Sequence, residues 1–301
     1  RRLLLLVSTA GDHVTFCHGM RQILCSSEVK AMRNSPVTAF GLSLGLFLAC
    51  LILSAEARAQ SSPIEAARRP VLVELFTSEG CSSCPPADAL LQQLERQQPV
   101  AGAEIIAIEE HVDYWNHDGW LDPFSSPEWT QRQQSYVALL KADAYTPELV
   151  VNGRRQFVGN NAREAELEIE NAAGGLKTEV TIASGGAGSK GSQQFSVSVG
   201  KMEQKTTGDV AEVWLAVTED GLHSSVGRGE NAGHVLHHVA TLRSLHKIGV
   251  ADANGASASF TAEPVVKFDS RWNVENLHVT VFVQEKKSRR ILGAASTKIK
   301  S

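Results

Sequence analysis

The chain has 301 residues, a formal net charge of -4 and 43% hydrophobic residues. That balance offers no basic footprint for nucleic acid, and the length is enough for two domains with separate cores. Five cysteines are present, and only Cys81 and Cys84 fall after residue 60.

Residues 1–31 carry no periodic pattern and precede Met32, so they read as an over-extended reading frame. Met32-Arg33-Asn34 opens a short basic region, residues 40–53 are small and apolar, and Ala57-Arg58-Ala59 has the small-x-small form of a signal peptidase site. The expectation is a signal peptide over 32–59, cleaved after Ala59, and a periplasmic or secreted mature chain. The apolar run falls short of the roughly 20 residues of a spanning helix, so no membrane span is expected after cleavage.

Residues 60–175 have an α/β order. The run Val71-Leu72-Val73-Glu74-Leu75-Phe76 predicts a strand that delivers Cys81-Ser82-Ser83-Cys84 to a helix start marked by Pro85-Pro86. A thiol at the positive end of a helix has a lowered pKa, which makes Cys81 the attacking thiolate and Cys84 the resolving thiol. In an oxidising compartment such a pair also serves as a permanent staple, but closing so short a loop adds little stability. Exchange with protein thiols or disulfides is therefore the expected chemistry. A buried parallel strand follows over 103–109, then a helix from the Ser126-Pro127 start signal to about Lys141. Residues 145–152 predict a strand ending in the hairpin signal Asn152-Gly153, residues 155–159 its antiparallel return, and residues 161–173 a helix stopped by Gly174-Gly175.

This order resembles the thioredoxin fold. The resemblance implies that Pro147, after Thr146, is cis and lies beside the sulfurs, where its backbone can pair with an extended partner. Glu74 stands near the place where many thioredoxin-like proteins hold a buried acid for proton transfer, although one residue farther from the first cysteine; a surface or hairpin-edge glutamate is the alternative. More closely, the string from Val73 to Asp88, with His111-Val112-Asp113-Tyr114-Trp115, Tyr145-Thr146-Pro147 and residues 228–233, is similar to a secreted bacterial family catalogued as domain of unknown function 1223. That resemblance implies the fold and export.

Between the second and third strands lies an insertion carrying Tyr114, Trp115, Trp120, Phe124 and Trp129. Tyr114, Trp115 and Trp120 are candidates for an aromatic partner surface, against the alternative that these rings pack the inserted helix onto the sheet. His111 and Asp113 are supporting candidates, because a histidine near a thiol can lower its pKa or pass a proton. One Cys-x-x-Cys with no second pair does not complete a four-ligand zinc site, so neither metal nor cofactor is expected; a copper carrier using Cys81 and Cys84, or a structural adaptor, is the alternative to catalysis.

Residues 176–301 change character. Strands are expected over 177–183, 194–199, 211–217, 257–266 and 277–284, as a small antiparallel sandwich or barrel, with 184–191 as a flexible loop. Residues 227–233 are read as a long hairpin loop, against the alternative of a glycine-rich segment that contacts a ligand or leans over the cysteines, and His234 and His238 as exposed groups on one strand face rather than a ligand pair.

Overall fold

The computed structural model describes residues 67–175, 177–187, 191–202, 205–252 and 259–299. Glu65–Ser301 is one compact unit. The expected N-terminal extension, signal peptide and cut after Ala59 fall on residues outside those described.

The architecture is mixed α/β. Strand β1 (Arg69–Thr77) leads through the cysteine turn into helix α1 (Pro85–Gln97), which returns the chain to β2 (Ala103–His111), parallel to β1 from Arg69↔Ala103 to Thr77↔His111. Helix α2 (Pro127–Leu140) starts as the sequence predicts: Ser126 caps it by accepting from the Glu128 amide, with proline in the first turn. Strands β3 (Glu148–Val151) and β4 (Arg155–Val158) form the expected hairpin, and α3 (Ala162–Ala173) closes this half. Asn152 and Gly153 both have positive φ, and a Cβ on Gly153 would fall 2.0 Å from the Arg289 carbonyl oxygen, so only glycine fits there.

Alternation along β1 sorts its side chains by face. Val71, Val73 and Leu75 pack with Leu90, Leu91 and Leu94 of α1 and with Ala165 and Ile169 of α3, whereas Leu72 packs with Trp129 of α2. Glu74 and Phe76 share the α2 face, and Thr77 the α1 face.

The second half does not form a separate sandwich. Strands β7 (Ala211–Glu219), β10 (Thr241–Ala251), β13 (Leu277–Glu285) and β14 (Ile291–Lys298) join the first half in one eight-stranded sheet among the described residues, ordered β14-β13-β7-β10-β2-β1-β3-β4. A smaller antiparallel sheet of β5 (Val180–Ala187), β6 (Ser192–Val199), β11 (Phe260–Ala262) and β12 (Val265–Lys267) packs Phe195, Val197 and Val199 against Val213, Val279 and Val281 of the large one. Part of the expected 184–191 loop is strand, because β5 continues past a bulge between Ser184 and Ala187. The predicted strand at 257–266 is divided at Pro264, which has no amide hydrogen for a ladder.

A third core, of Leu72, Ile106, Ile108 and Trp129 with Ala216, Leu242, Phe282 and Ile291, joins residues from both sides of position 176. The hairpin of β8 (Leu222–Ser225) and β9 (Val235–His238) lies against α1, which places the intervening 227–233 loop at the cysteine end of the sheet. Among the described residues, no helix is long and apolar enough to cross a membrane.

Candidate active site

Cys81 and Cys84 are joined as a disulfide at the start of α1, with Cys84 as its N-cap and Pro85 and Pro86 in the first turn. The Ala87 and Asp88 amides donate to the Cys84 carbonyl at 2.8 and 3.1 Å, so the helix begins at the second cysteine. Ser83 Oγ lies 3.3 Å from Cys81 Sγ. The Thr146-Pro147 bond is cis. Trp115 donates from Nε1 to Thr146 Oγ1 at 2.8 Å, and its Cβ stands 3.0 Å from where a Cβ on Gly80 would be. One indole thus bridges the turn that leads into Cys81 and the strand entry at Pro147. Gly159 links Pro147 to the helix: a Cβ there would meet Ala87 Cβ at 3.2 Å and Pro147 Cβ at 3.3 Å.

Both cysteines are fully buried. The 227–233 loop, for which a long hairpin connection was the favoured expectation and a segment leaning over the cysteines the alternative, lies on their turn. Asn231 donates from Nδ2 to the carbonyls of Glu79 at 2.8 Å and Cys81 at 3.0 Å, and Glu230 Oε2 accepts from the Ser82 amide at 3.1 Å. Gly229, at φ +77°, passes so close to the inserted segment that a Cβ would meet Asp118 O at 3.2 Å.

Behind the turn is a buried polar network. His111 Nδ1 lies 2.7 Å from Asp122 Oδ2, His238 Nε2 lies 3.1 Å from Glu79 Oε1, and His238 Nδ1 lies 3.2 Å from Glu109 Oε1. Trp120 donates to Glu79 Oε2 at 2.7 Å, and Thr241 to Glu109 Oε2 at 3.0 Å. Phe124 sets its ring edge-on to both histidines, with centroids 5.4 Å away. Burial works against the charged form of His238, but Glu109 and Glu79 override it and raise its pKa to about 9. Burial would lift Glu109, yet His238 and His111 hold it down at about 2. Asp88, one turn beyond Cys84 and donated to by Thr77 Oγ1 at 2.6 Å, is raised to about 7 by burial and by Glu109.

The sequence-derived candidates separate accordingly. Cys81 and Cys84 are joined to each other, Thr146 is tied through Trp115 to the turn that leads into Cys81, Pro147 packs with Ala87 of α1 across Gly159, and His111 stands in the network behind that turn. Glu74 is on the opposite face of β1, where Arg132 Nε donates to it at 2.6 Å and Tyr136 at 2.7 Å; Glu110 joins from β2 at 3.3 Å from Arg132 Nε. Asp113 accepts from Thr130 Oγ1 at 2.6 Å and so anchors the inserted segment to α2. Of the aromatics, Trp129 is buried in the core, while Tyr114, Trp115 and Trp120 remain partly accessible. Sequence reading missed Glu79, Asp88, Glu109, Asp122, Asn231 and the burial of His238. Each finds its key partner through tertiary contact, and no local spacing signals it.

The profile of a family described as "Protein of unknown function (DUF1223)" matches residues 72–284. Among solved structures, the chain is similar to a protein from Agrobacterium tumefaciens, at 24% identity and a TM-score of 0.56, covering 78% of this chain and 98% of that one. It is also similar to HBP35 of Porphyromonas gingivalis, at 17% identity and a TM-score of 0.56, covering 77% and 76% of the two chains. These likenesses concern the fold. No curated protein matches.

Proposed function

We propose that this chain, which belongs to the DUF1223 family, is an exported thiol-disulfide oxidoreductase built on a thioredoxin-like core. The observation that carries the reading is the Cys81–Cys84 pair at the positive end of α1, with Thr146 of the cis Thr146-Pro147 bond tied through Trp115 to the turn that precedes it. Export rests on the features of residues 32–59.

In the dithiol state, the Cys81 thiolate attacks one sulfur of a partner disulfide and releases the other as a thiolate. Cys84 then attacks Cys81, frees the second partner thiol and closes the Cys81–Cys84 disulfide. Two electrons pass to the partner, and its two sulfurs take up two protons. In the opposite direction a partner dithiol is oxidised by the same steps. Thr146-Pro147 offers backbone to an extended partner segment, and Tyr114, Trp115 and Trp120 offer a partly apolar flank. Because the cysteines are buried, the 229–231 segment moves aside before a partner sulfur reaches Cys81.

Cys84→Ser should accumulate mixed disulfides on Cys81 in cells, and the wild-type pair should equilibrate with glutathione at a potential between roughly -120 and -270 mV. The full burial of both cysteines favours a second reading, a closed structural disulfide in a binding or adaptor protein. That reading wins if Cys84→Ser traps nothing and the potential lies below about -300 mV.

A further inference from the structure

We infer that Glu109, His111 and His238 form a site for a divalent transition metal, zinc by ligand class, between β2 and β9. This goes beyond thiol exchange and does not depend on it. The sequence offered no such site, since Glu109 and His238 are 129 residues apart.

The donor geometry is compact. Glu109 Oε1 lies 3.2 Å from His238 Nδ1, Glu109 Oε2 lies 3.5 Å from His111 Nε2, and one donor atom from each residue falls within 4.8 Å of the others. Ligands held about 2.0–2.1 Å from a tetrahedral zinc are about 3.3 Å apart, so small side-chain shifts bring these three onto one ion. Two imidazoles and a carboxylate leave the fourth position open.

Each histidine is oriented from behind by a carboxylate. Asp122 Oδ2 holds His111 Nδ1 at 2.7 Å, and Glu79 Oε1 holds His238 Nε2 at 3.1 Å. With the proton on each of those nitrogens, His111 Nε2 and His238 Nδ1 turn toward Glu109 as acceptors, the form in which imidazole binds metal. Asp122 is itself fixed by the Glu79 and Phe124 amides at 2.8 and 2.9 Å, and Glu109 by Thr241.

An independent observation points into the same space. His111 is fully buried, and its Nε2 makes no hydrogen bond among the described residues, with Glu109 Oε2 facing it at 3.5 Å. Leaving such a nitrogen unmade is costly, and a metal removes the cost. Charge balance permits it: the carboxylates of Glu79, Glu109 and Asp122 are buried around two imidazoles, and a divalent ion takes the place of the protons that charge those imidazoles when no metal is bound.

The test is metal uptake by the full-length protein. Chelator-stripped wild type dialysed against Zn2+ should bind one equivalent, as should Cys81→Ser/Cys84→Ser. Co2+ in the same site should show ligand-field bands and no thiolate charge-transfer band. Glu109→Gln, close to isosteric, should weaken Zn2+ binding at least tenfold, and His238→Ala should abolish it, with folding checked by circular dichroism. The site is overturned if folded wild type takes up no Zn2+. It is equally overturned if uptake disappears in the cysteine variant, or if folded Glu109→Gln binds as tightly as wild type. Since the readout is metal content, its failure leaves thiol exchange standing, and the converse also holds.

Discussion

At the scale of single residues, the α2 face of the sheet concentrates buried charge. Arg132 answers two carboxylates, Glu74 and Glu110, and Tyr136 and Gln284 complete the set. Removing the cation alone leaves both acids in the core, so Arg132→Met should lose about 3–5 kcal/mol in urea unfolding. A loss below 1 kcal/mol would mean that the acids take up protons at little cost. Glu148, next to cis Pro147, gives a pH signature. Burial raises its pKa from 4.5 to about 7, against the donation from Gln133. A raised acid holds its proton longer folded than unfolded, so its stabilisation is complete below pH 4.5 and is lost as the pH rises through about 7. The loss is roughly 3 kcal/mol at most. Melting temperatures at about pH 5 and about pH 8 should fall less for Glu148→Gln than for wild type, and an equal fall would remove Glu148 as the source. The Cys81–Cys84 pair at the start of α1 was legible because it is written in four adjacent letters, and the cis bond before Pro147 followed from the resemblance of the element order. His238 was not: period-two alternation predicts a shared face for His234 and His238 but cannot say that the hairpin presses the second against Glu109.

At the scale of elements, the informative pair is α1 and the loop between β8 and β9. Two side-chain donations from Asn231 and one amide donation to Glu230 hold the loop on the cysteine turn. Asn231→Ala removes the first two and should raise the rate at which a small phosphine reduces Cys81–Cys84 by roughly thirtyfold, from about 1 kcal/mol net for each of the two hydrogen bonds. An unchanged rate would show that reductant enters by another path. The α1 and α2 starts, the Asn-Gly hairpin and α3 were read correctly because proline, serine and glycine act locally on the backbone. Strand β10 escaped notice because Arg243, Ser244, His246, Lys247 and Gly249 break its alternation, and the ladder tolerates them through two register shifts. Strand β14 was missed because Gly293, Ala294, Ala295 and Ser296 carry little strand propensity, and pairing with β13 supplies what they lack.

At the scale of the molecule, the change of character at residue 176 divides the sequence without dividing the sheet. β10 lies beside β2, and the core around Leu72, Ile106, Ile108 and Trp129 is completed by Ala216, Leu242 and Phe282. A fragment ending at residue 175 should therefore expose this apolar face and fail to show a cooperative unfolding transition. A sharp, reversible melt of 60–175 would establish an autonomous first domain. The cover over the cysteines carries a further consequence, in time. Asn231 reaches back 150 residues to the Cys81 carbonyl. At about 5–20 residues per second, synthesis separates the two by roughly 8–30 s. In a chain that crosses the membrane as it is made, the oxidant that joins the sulfurs meets them most freely in that interval, before the late-arriving loop settles on their turn.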